Sequence, residues 1–359
     1  LAEGSDDFWG LQIVQLAPSR GRLAFAAPEL TDHFRYNTLY VGQTGTTADY
    51  TPMRLSELPE AIRSGLLPVD VALVQVSPPD ALGLCSLGLS VDATKAAVES
   101  ATLVIAQVNE KAPVTVGDTL VPVDAIDWLV EGTAPPIEIP PPTLDPVALT
   151  IGRHVAGLIE DGMTLHFDCG SISAATMRYL DAKKDLGIHT DILTDDMLRL
   201  VRSRAVTNRL KTLHKGRAVA TMVLGSQALY EWVHANPYVE LLPIDQVNDP
   251  YVISQNDRMV AVLSIQEMEL TGLPLADTEH ALQMDSLPSS MDFLTGARRA
   301  KGGFSVLALP STTPDGSRSR IVARAAVRGV AFDRARVDYV VTEYGVVNLR
   351  GLSIRERAI

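Results

Sequence analysis

The stretch from 160 to 200, EDGMTLHFDCGSISAATMRYLDAKKDLGIHTDILTDDMLRL, constrains the fold more than any other part of the chain. Residues 163–167 are a short apolar run of strand length, 168–171 a polar turn, and 172–180 carry apolar side chains at helical spacing. Gly187 stops that helix, and 188–193 reads as a second strand. Strand, turn and helix N-terminus in this order aim backbone N–H groups at one spot and make a place for an anion or oxyanion. In a parallel unit the C-terminal end of the second strand lies beside the first turn, so Asp191 faces that place. A carboxylate beside an oxyanion site is what acyl chemistry needs. Asp191 is therefore the candidate catalytic residue, and Asp168, Cys169, Gly170, Ser171 and Ile172 form the candidate binding turn. The bland alternative for Asp191 is a cap or a surface ion pair, because Thr190, Thr194, Asp195 and Asp196 also precede a helix starting near Met197.

Elsewhere strands alternate with helices, which predicts a parallel α/β architecture. The pattern gives strands at 11–16, 38–41, 69–76 and 103–108, with helices at 55–64 (Ser56 as N-cap, Gly65 as stop) and 93–101. After 146 it gives helices at 146–159 and 227–235 and strands at 218–224, 259–265, 304–309 and 337–342. The runs at 69–76 and 103–108 read as buried strands. With 359 residues, two domains are expected. Residues 132–146, GTAPPIEIPPPTLDP, hold six prolines and no periodicity, so the boundary falls there. The expected units are 1–131, a linker at 132–146, and 147–359 with the catalytic carboxylate.

Cys169 at a helix start carries a second reading, a thiolate nucleophile with His189 and Asp191 completing the set, against a small residue filling a tight turn. The seven histidines show neither HxH nor HExxH, so no metal site is expected. No dinucleotide fingerprint, phosphate loop or GxSxG elbow is present. Basic residues cluster at Lys211–His214–Lys215–Arg217, Arg298–Arg299–Lys301 and Arg318–Arg320, where they hold phosphates or lie on solvated faces. A net charge of −12 argues against general nucleic-acid binding. The apolar runs are too short to span a bilayer. With no leader pattern and two cysteines, the cytoplasm is the expected compartment.

Residues 338–358, DYVVTEYGVVNLRGLSIRERA, closely resemble the C-terminal signature of the acetyl-CoA hydrolase/transferase family of class I CoA-transferases. The likeness continues through VDVALVQVSPPDALGLCSLG (69–88), VIAQVNEKAPVTVGD (104–118), LIEDGMTLHF (158–167), DLGIHTD (185–191), VNDP (247–250) and LALPSTTPDGSRSRIV (307–322). The resemblance implies two similar open α/β domains of the NagB/RpiA-like type with the active site between them. It further implies a homodimer, and acyl-CoA and small carboxylates as substrates with no permanently bound cofactor. It implies a chemistry in which an enzyme carboxylate attacks the thioester and then carries CoA itself. The family glutamate follows His-Thr/Ser, and Asp191 stands there. Where family loops read Gly-Ile-Gly-Ala-Ile-Pro and Gly-Gly-Gln-Val-Asp-Phe, this chain has 168–173 and 288–293, which adds Ser289 and Ser290 to the binding candidates, with Gly345 from the C-terminal signature. Losing one methylene withdraws the carboxylate by about 1.5 Å, and a misplacement near 1 Å costs about 10²-fold. A withdrawn Asp191 leaves room for water, so hydrolysis with Asp191 as general base stands beside transfer. A non-catalytic subunit that pairs with an active paralogue is the third reading. Glu267 and Glu269 are supporting carboxylates.

Overall fold

The computed structural model describes residues 9–15, 30, 32–38, 49–51, 53–276, 287–324, 330–331 and 333–359. One six-stranded sheet organises the second half of the chain. Its strands lie in the order Gly187–Ile188, Thr164–Phe167, Met259–Ser264, Phe304–Ala308, Tyr339–Thr342, Gly345–Asn348. All neighbours are parallel except the last pair, an antiparallel hairpin. The four central strands, 164–167, 259–264, 304–308 and 339–342, are mostly apolar because both faces are covered, as parallel sheets require. Leu165, Phe167, Val260 and Val262 pack with Ile151 and Val155 of the helix Pro146–Leu158. Met259 and Ala261 point the other way, onto Phe293 and Ala297 of the helix Leu287–Arg299. His166 pairs with Ala261 in register and so lies on this second face.

The strands Val71–Val76, Leu103–Asn109 and Trp128–Gly132 form a separate parallel sheet. The sequence predicts buried strands here, and the structure corrects that to burial on one face. Ala72, Val76, Val104 and Ala106 enter the core, whereas Leu73 is 63% and Trp128 65% exposed. Residues 133–145 adopt neither helix nor strand. They are tied down by bonds from Asn109 Nδ2 to the Ala134 carbonyl (2.8 Å), from Ile139 N–H to Gly225 O (2.9 Å) and from the Tyr230 hydroxyl to Ile137 O (2.8 Å). Asp145 then accepts from Ala148 N–H at 2.7 Å and caps Pro146–Leu158. The largest apolar cluster draws on both sides of this segment, joining Val76, Val104 and Val121 to Ile151 and Phe167.

Several expected elements are redrawn. The helix at 55–64 is a 3₁₀ turn, Leu55–Glu57, followed by Leu58–Arg63. Ser56 is not its cap, since it lies inside the 3₁₀ turn, which Arg54 precedes, and its N–H donates to Asp292 Oδ2 at 3.3 Å. The helix at 172–180 is Ser171–Met177, so Gly187 opens a strand instead of closing that helix. The strand at 218–224 divides into Ala218–Ala220 and Met222–Val223, which pair in different sheets. Near the start, Leu11–Gln15 and Phe34–Thr38 are strands, and the expected positions 16 and 39–41 lie outside the described residues. Among the described residues no helix is long and apolar enough to cross a membrane.

Candidate active site

The first and third strands of the large sheet in chain order, Thr164–Phe167 and Met259–Ser264, are spatial neighbours, with the second strand on the far side of the first. The strand order therefore reverses between them, and open α/β sheets bind ligands beyond the carboxyl ends of the strands at such a point. The turn after Phe167 lies there. Asp168 Oδ1 accepts from Gly170 N–H at 3.0 Å and from the Ser173 hydroxyl at 2.6 Å, and Oδ2 accepts from Ser264 N–H on the neighbouring strand. Glycine at 170 leaves room for these side chains, since a Cβ would stand 2.9 Å from Ser264 Oγ and 3.0 Å from Asp168 Oδ1. Asp168 bonds the N–H of Gly170, the residue that caps Ser171–Met177, because a short Asp bonds so readily to the backbone two residues on.

Asp191 reaches the same spot by an unexpected route. The single strand expected at 188–193 is split. Gly187–Ile188 pairs with Thr164–Phe167, and His189 N–H still donates to Leu165 O at 3.1 Å. Thr190 N–H then turns to Val219 O at 3.0 Å, and Ile192–Leu193 pairs with Met222–Val223 in another sheet. Asp191 sits at the hand-over, where its carbonyl accepts from Thr221 and Met222 N–H, both at 3.0 Å. Its side chain is 13% exposed. Oδ1 accepts from Ile192 N–H at 2.8 Å and from the Thr190 hydroxyl at 3.3 Å, and lies 3.7 Å from His166 Nδ1.

The structure thus brings Asp191 to the 168–170 turn and separates His189 from it. His189 is buried, with Nε2 2.8 Å from Val247 O and Nδ1 3.3 Å from Asn256 Nδ2. Burial, reinforced by the Lys211 charge, holds its pKa down to about 3. The Cys169/His189/Asp191 set is therefore not assembled. The Cys169 side chain reaches solvent, yet the protein crowded around it and the carboxylates of Asp191 and Asp168 hold its thiol well above the ordinary value. That is the reverse of the thiolate expected at a helix start.

The loop expected at 288–293 is the opening of the helix Leu287–Arg299. Ser289 and Ser290 fall in its first turn, and their side chains lie outside the described residues. Gly345 begins the hairpin return at φ +145°, a conformation that suits glycine. It stands on the same sheet edge as Asp168 but four strands across, roughly 19 Å at the ~4.8 Å strand spacing. Lys211, expected in a phosphate-holding or solvated cluster, is buried. Its ammonium donates to Ile188 O and Arg217 O, both at 2.8 Å, and so ties the strand Gly187–Ile188 to the residue that precedes Ala218–Ala220. Burial lowers its pKa to about 7. Glu269 accepts from Arg334 at 3.0 Å, a structural ion pair.

One neighbour of Asp191 escapes a sequence reading. His166 is 1% exposed, and its ring stacks on Phe293 with centroids 3.6 Å apart and planes 5° apart. Its Nδ1 is 3.0 Å from Thr190 Oγ1, and burial pushes its pKa down. The available signal is a histidine inside the apolar strand TLHF, and it has no sequence-local partner. Beside Phe293, Asp292 is fully buried, and burial raises its pKa to about 7.

Residues 30–140 match the model of the acetyl-CoA hydrolase/transferase N-terminal domain and 225–359 that of the C-terminal domain. The chain is 42% identical to 4-hydroxybutyrate coenzyme A transferase of Clostridium kluyveri, over all of this chain and 85% of that one. It is 37% identical to the succinyl-CoA:acetate/propanoyl-CoA:succinate CoA transferase of Fasciola hepatica, over 91% of this chain and 70% of that one. Among solved structures, 4-hydroxybutyrate CoA-transferase from Porphyromonas gingivalis superposes with a TM-score of 0.84 at 38% identity, covering 99% of this chain and 83% of that one. RipA from Yersinia pestis gives 0.91 at 30% identity, covering 99% and 84%.

Proposed function

This chain belongs to the acetyl-CoA hydrolase/transferase family, and we propose that it moves CoA between an acyl-CoA thioester and a small carboxylic acid with Asp191 as nucleophile. The observation that carries this reading is the placement of Asp191. It is a recessed carboxylate at the reversal point of the sheet, with one oxygen fixed by Ile192 N–H and the Thr190 hydroxyl. A nucleophile held this way meets the thioester carbonyl without paying for orientation at the moment of reaction.

Asp191 attacks the acyl carbonyl, the C–S bond breaks, and a mixed anhydride and CoA thiolate result. The thiolate attacks the Asp191 carbonyl, which expels the first carboxylate and leaves an aspartyl-CoA thioester. The acceptor carboxylate attacks that thioester, giving a second anhydride and thiolate. The thiolate then attacks the acceptor's acyl carbon, which releases new acyl-CoA and frees Asp191. Every step exchanges one acyl bond for another, so the thioester free energy is retained. The turn at 168–172 lies beside the nucleophile and flanks the thioester, with Ser289, Ser290 and Gly345 further along the CoA chain. The functional unit is a cytoplasmic homodimer whose chain divides at 132–146.

The recess around Asp191 also favours a second reading, in which a water between carboxylate and thioester is activated by Asp191 and the acyl-CoA is hydrolysed. Acceptor dependence separates the two. With acetyl-, propionyl- and succinyl-CoA, exchange that requires added acetate or propionate and follows ping-pong kinetics is the expected result. Free CoA released equally fast without acceptor makes the enzyme a hydrolase. Turnover that appears only with a co-purifying paralogue makes this chain a non-catalytic subunit.

A further inference from the structure

We propose that His166 is the positioning residue for the Asp191 carboxylate and acts through the hydroxyl of Thr190. The inference rests on the reading of Asp191 as nucleophile and adds what holds it in aim.

Alternation along Thr164–Phe167 sends Leu165 and Phe167 into the cluster under Pro146–Leu158 and turns His166 to the opposite face. There Phe293 stacks on the ring at 3.6 Å and 5°, so the imidazole plane is set by a helix far away in sequence. Nδ1 stands 3.0 Å from Thr190 Oγ1 and 3.7 Å from Asp191 Oδ1. Nε2 is buried and has no hydrogen-bond partner among the described residues. An N–H left without an acceptor in that place costs more than an unused ring lone pair, and a carboxylate lies on the Nδ1 side, so the proton belongs on Nδ1. His166 Nδ1–H then donates to Thr190 Oγ1, and the Thr190 hydroxyl donates to Asp191 Oδ1 at 3.3 Å. Ile192 N–H reaches the same oxygen at 2.8 Å. Donors converging on Oδ1 fix the rotation of the carboxylate. An aspartate has a single side-chain bond between Cβ and its carboxyl carbon, so this fixation sets the attack geometry.

The test uses the full chain and CoA exchange between acetyl-CoA and propionate. His166→Phe keeps a flat ring against Phe293 and removes the donor. It should lower kcat by about 10- to 10²-fold with KM for acetyl-CoA within about twofold, the pattern of lost orientation. His166→Asn places an amide nitrogen near the Nδ1 position and should recover part of the loss, which a packing role does not allow. Thr190→Val should add little to His166→Phe, because both cut one relay. Unchanged kcat in His166→Phe, no rescue by Asn, or fully additive losses would overturn the proposal. Asp191→Asn keeps the two ideas apart: if it is inactive while His166→Phe turns over normally, only the positioning role fails, and if it stays active the nucleophile reading fails. Independently of turnover, spectra of ¹⁵N-histidine-labelled protein should show His166 protonated at Nδ1, with a resonance that moves in Thr190→Val. An Nε2–H tautomer contradicts the relay.

Discussion

Asp168 and Asp191 stand at one edge of one sheet, and both bear on the thiol of Cys169. Their surroundings differ in kind. Asp168 receives donors on both oxygens from its own turn, from the first turn of a helix and from the neighbouring strand. It binds three pieces of backbone to one another and holds the switch point closed. Asp191 sits where a strand leaves one sheet for another, and Ile192, Thr190 and His166 gather about Oδ1. A carboxylate that satisfies donors from several elements builds a site. One steered by a converging set at a break in the backbone pattern is placed to react. Charge and nearness to the ligand crevice do not tell these two apart, whereas the elements that supply their neighbours do.

Substitution should separate them by kind as well as size. Asp191→Asn is expected to lower CoA exchange by about 10⁴-fold, as for other essential nucleophiles, while urea unfolding shifts by less than about 1 kcal/mol. Comparable losses of stability and activity would erase the distinction. Asp168→Asn should do the opposite in proportion. It replaces an acceptor by an amide donor facing Gly170, Ser173 and Ser264, so stability should fall by ~1–3 kcal/mol, with exchange reduced about 10²-fold through displacement of the turn.

A third carboxylate sharpens the contrast with the smallest effect on exchange. Asp292 lies next to Phe293 in the chain, where Oδ2 accepts from Ser56 N–H, Oδ1 has no hydrogen bond among the described residues, and Arg54 is 3.9 Å away. Burial raises its pKa to about 7 from an ordinary 3.8. A carboxyl with a raised folded pKa holds more protons folded than unfolded, so its contribution to stability declines as pH rises between the two values. Over that window wild type should lose stability relative to Asp292→Asn, with exchange little changed. A variant that tracks wild type across the window would show that Asp292 ionises without cost.

The apolar runs at 164–167, 259–264, 304–308 and 339–342 were legible because parallel strands buried on both faces leave no polar alternation to confuse with a loop. The turn at 168–170 and the approach of Asp191 to it also follow from chain order and the handedness of crossovers. The break within 187–193 does not. It depends on pairing with Met222–Val223 and on a buried lysine that bridges Ile188 and Arg217, and neither leaves a local mark. For the same reason Lys211 reads as one member of a basic patch. His166 and Phe293 meet only because two distant elements pack on one sheet face, so their stack is invisible to periodicity. At 287–290 a stretch read as a loop continues into a helix, since the absence of adjacent glycines removes the reason for a loop there.

The most direct measurement is the mass of the intact enzyme after mixing with acetyl-CoA and no acceptor, followed by borohydride reduction and peptide mapping. A CoA adduct is expected, lost on adding propionate, with Asp191 recovered as its reduced alcohol, homoserine. Free CoA accumulating with no adduct, or reduction mapping to Asp168 or Glu267 instead, would contradict the assignment of Asp191 as the nucleophile.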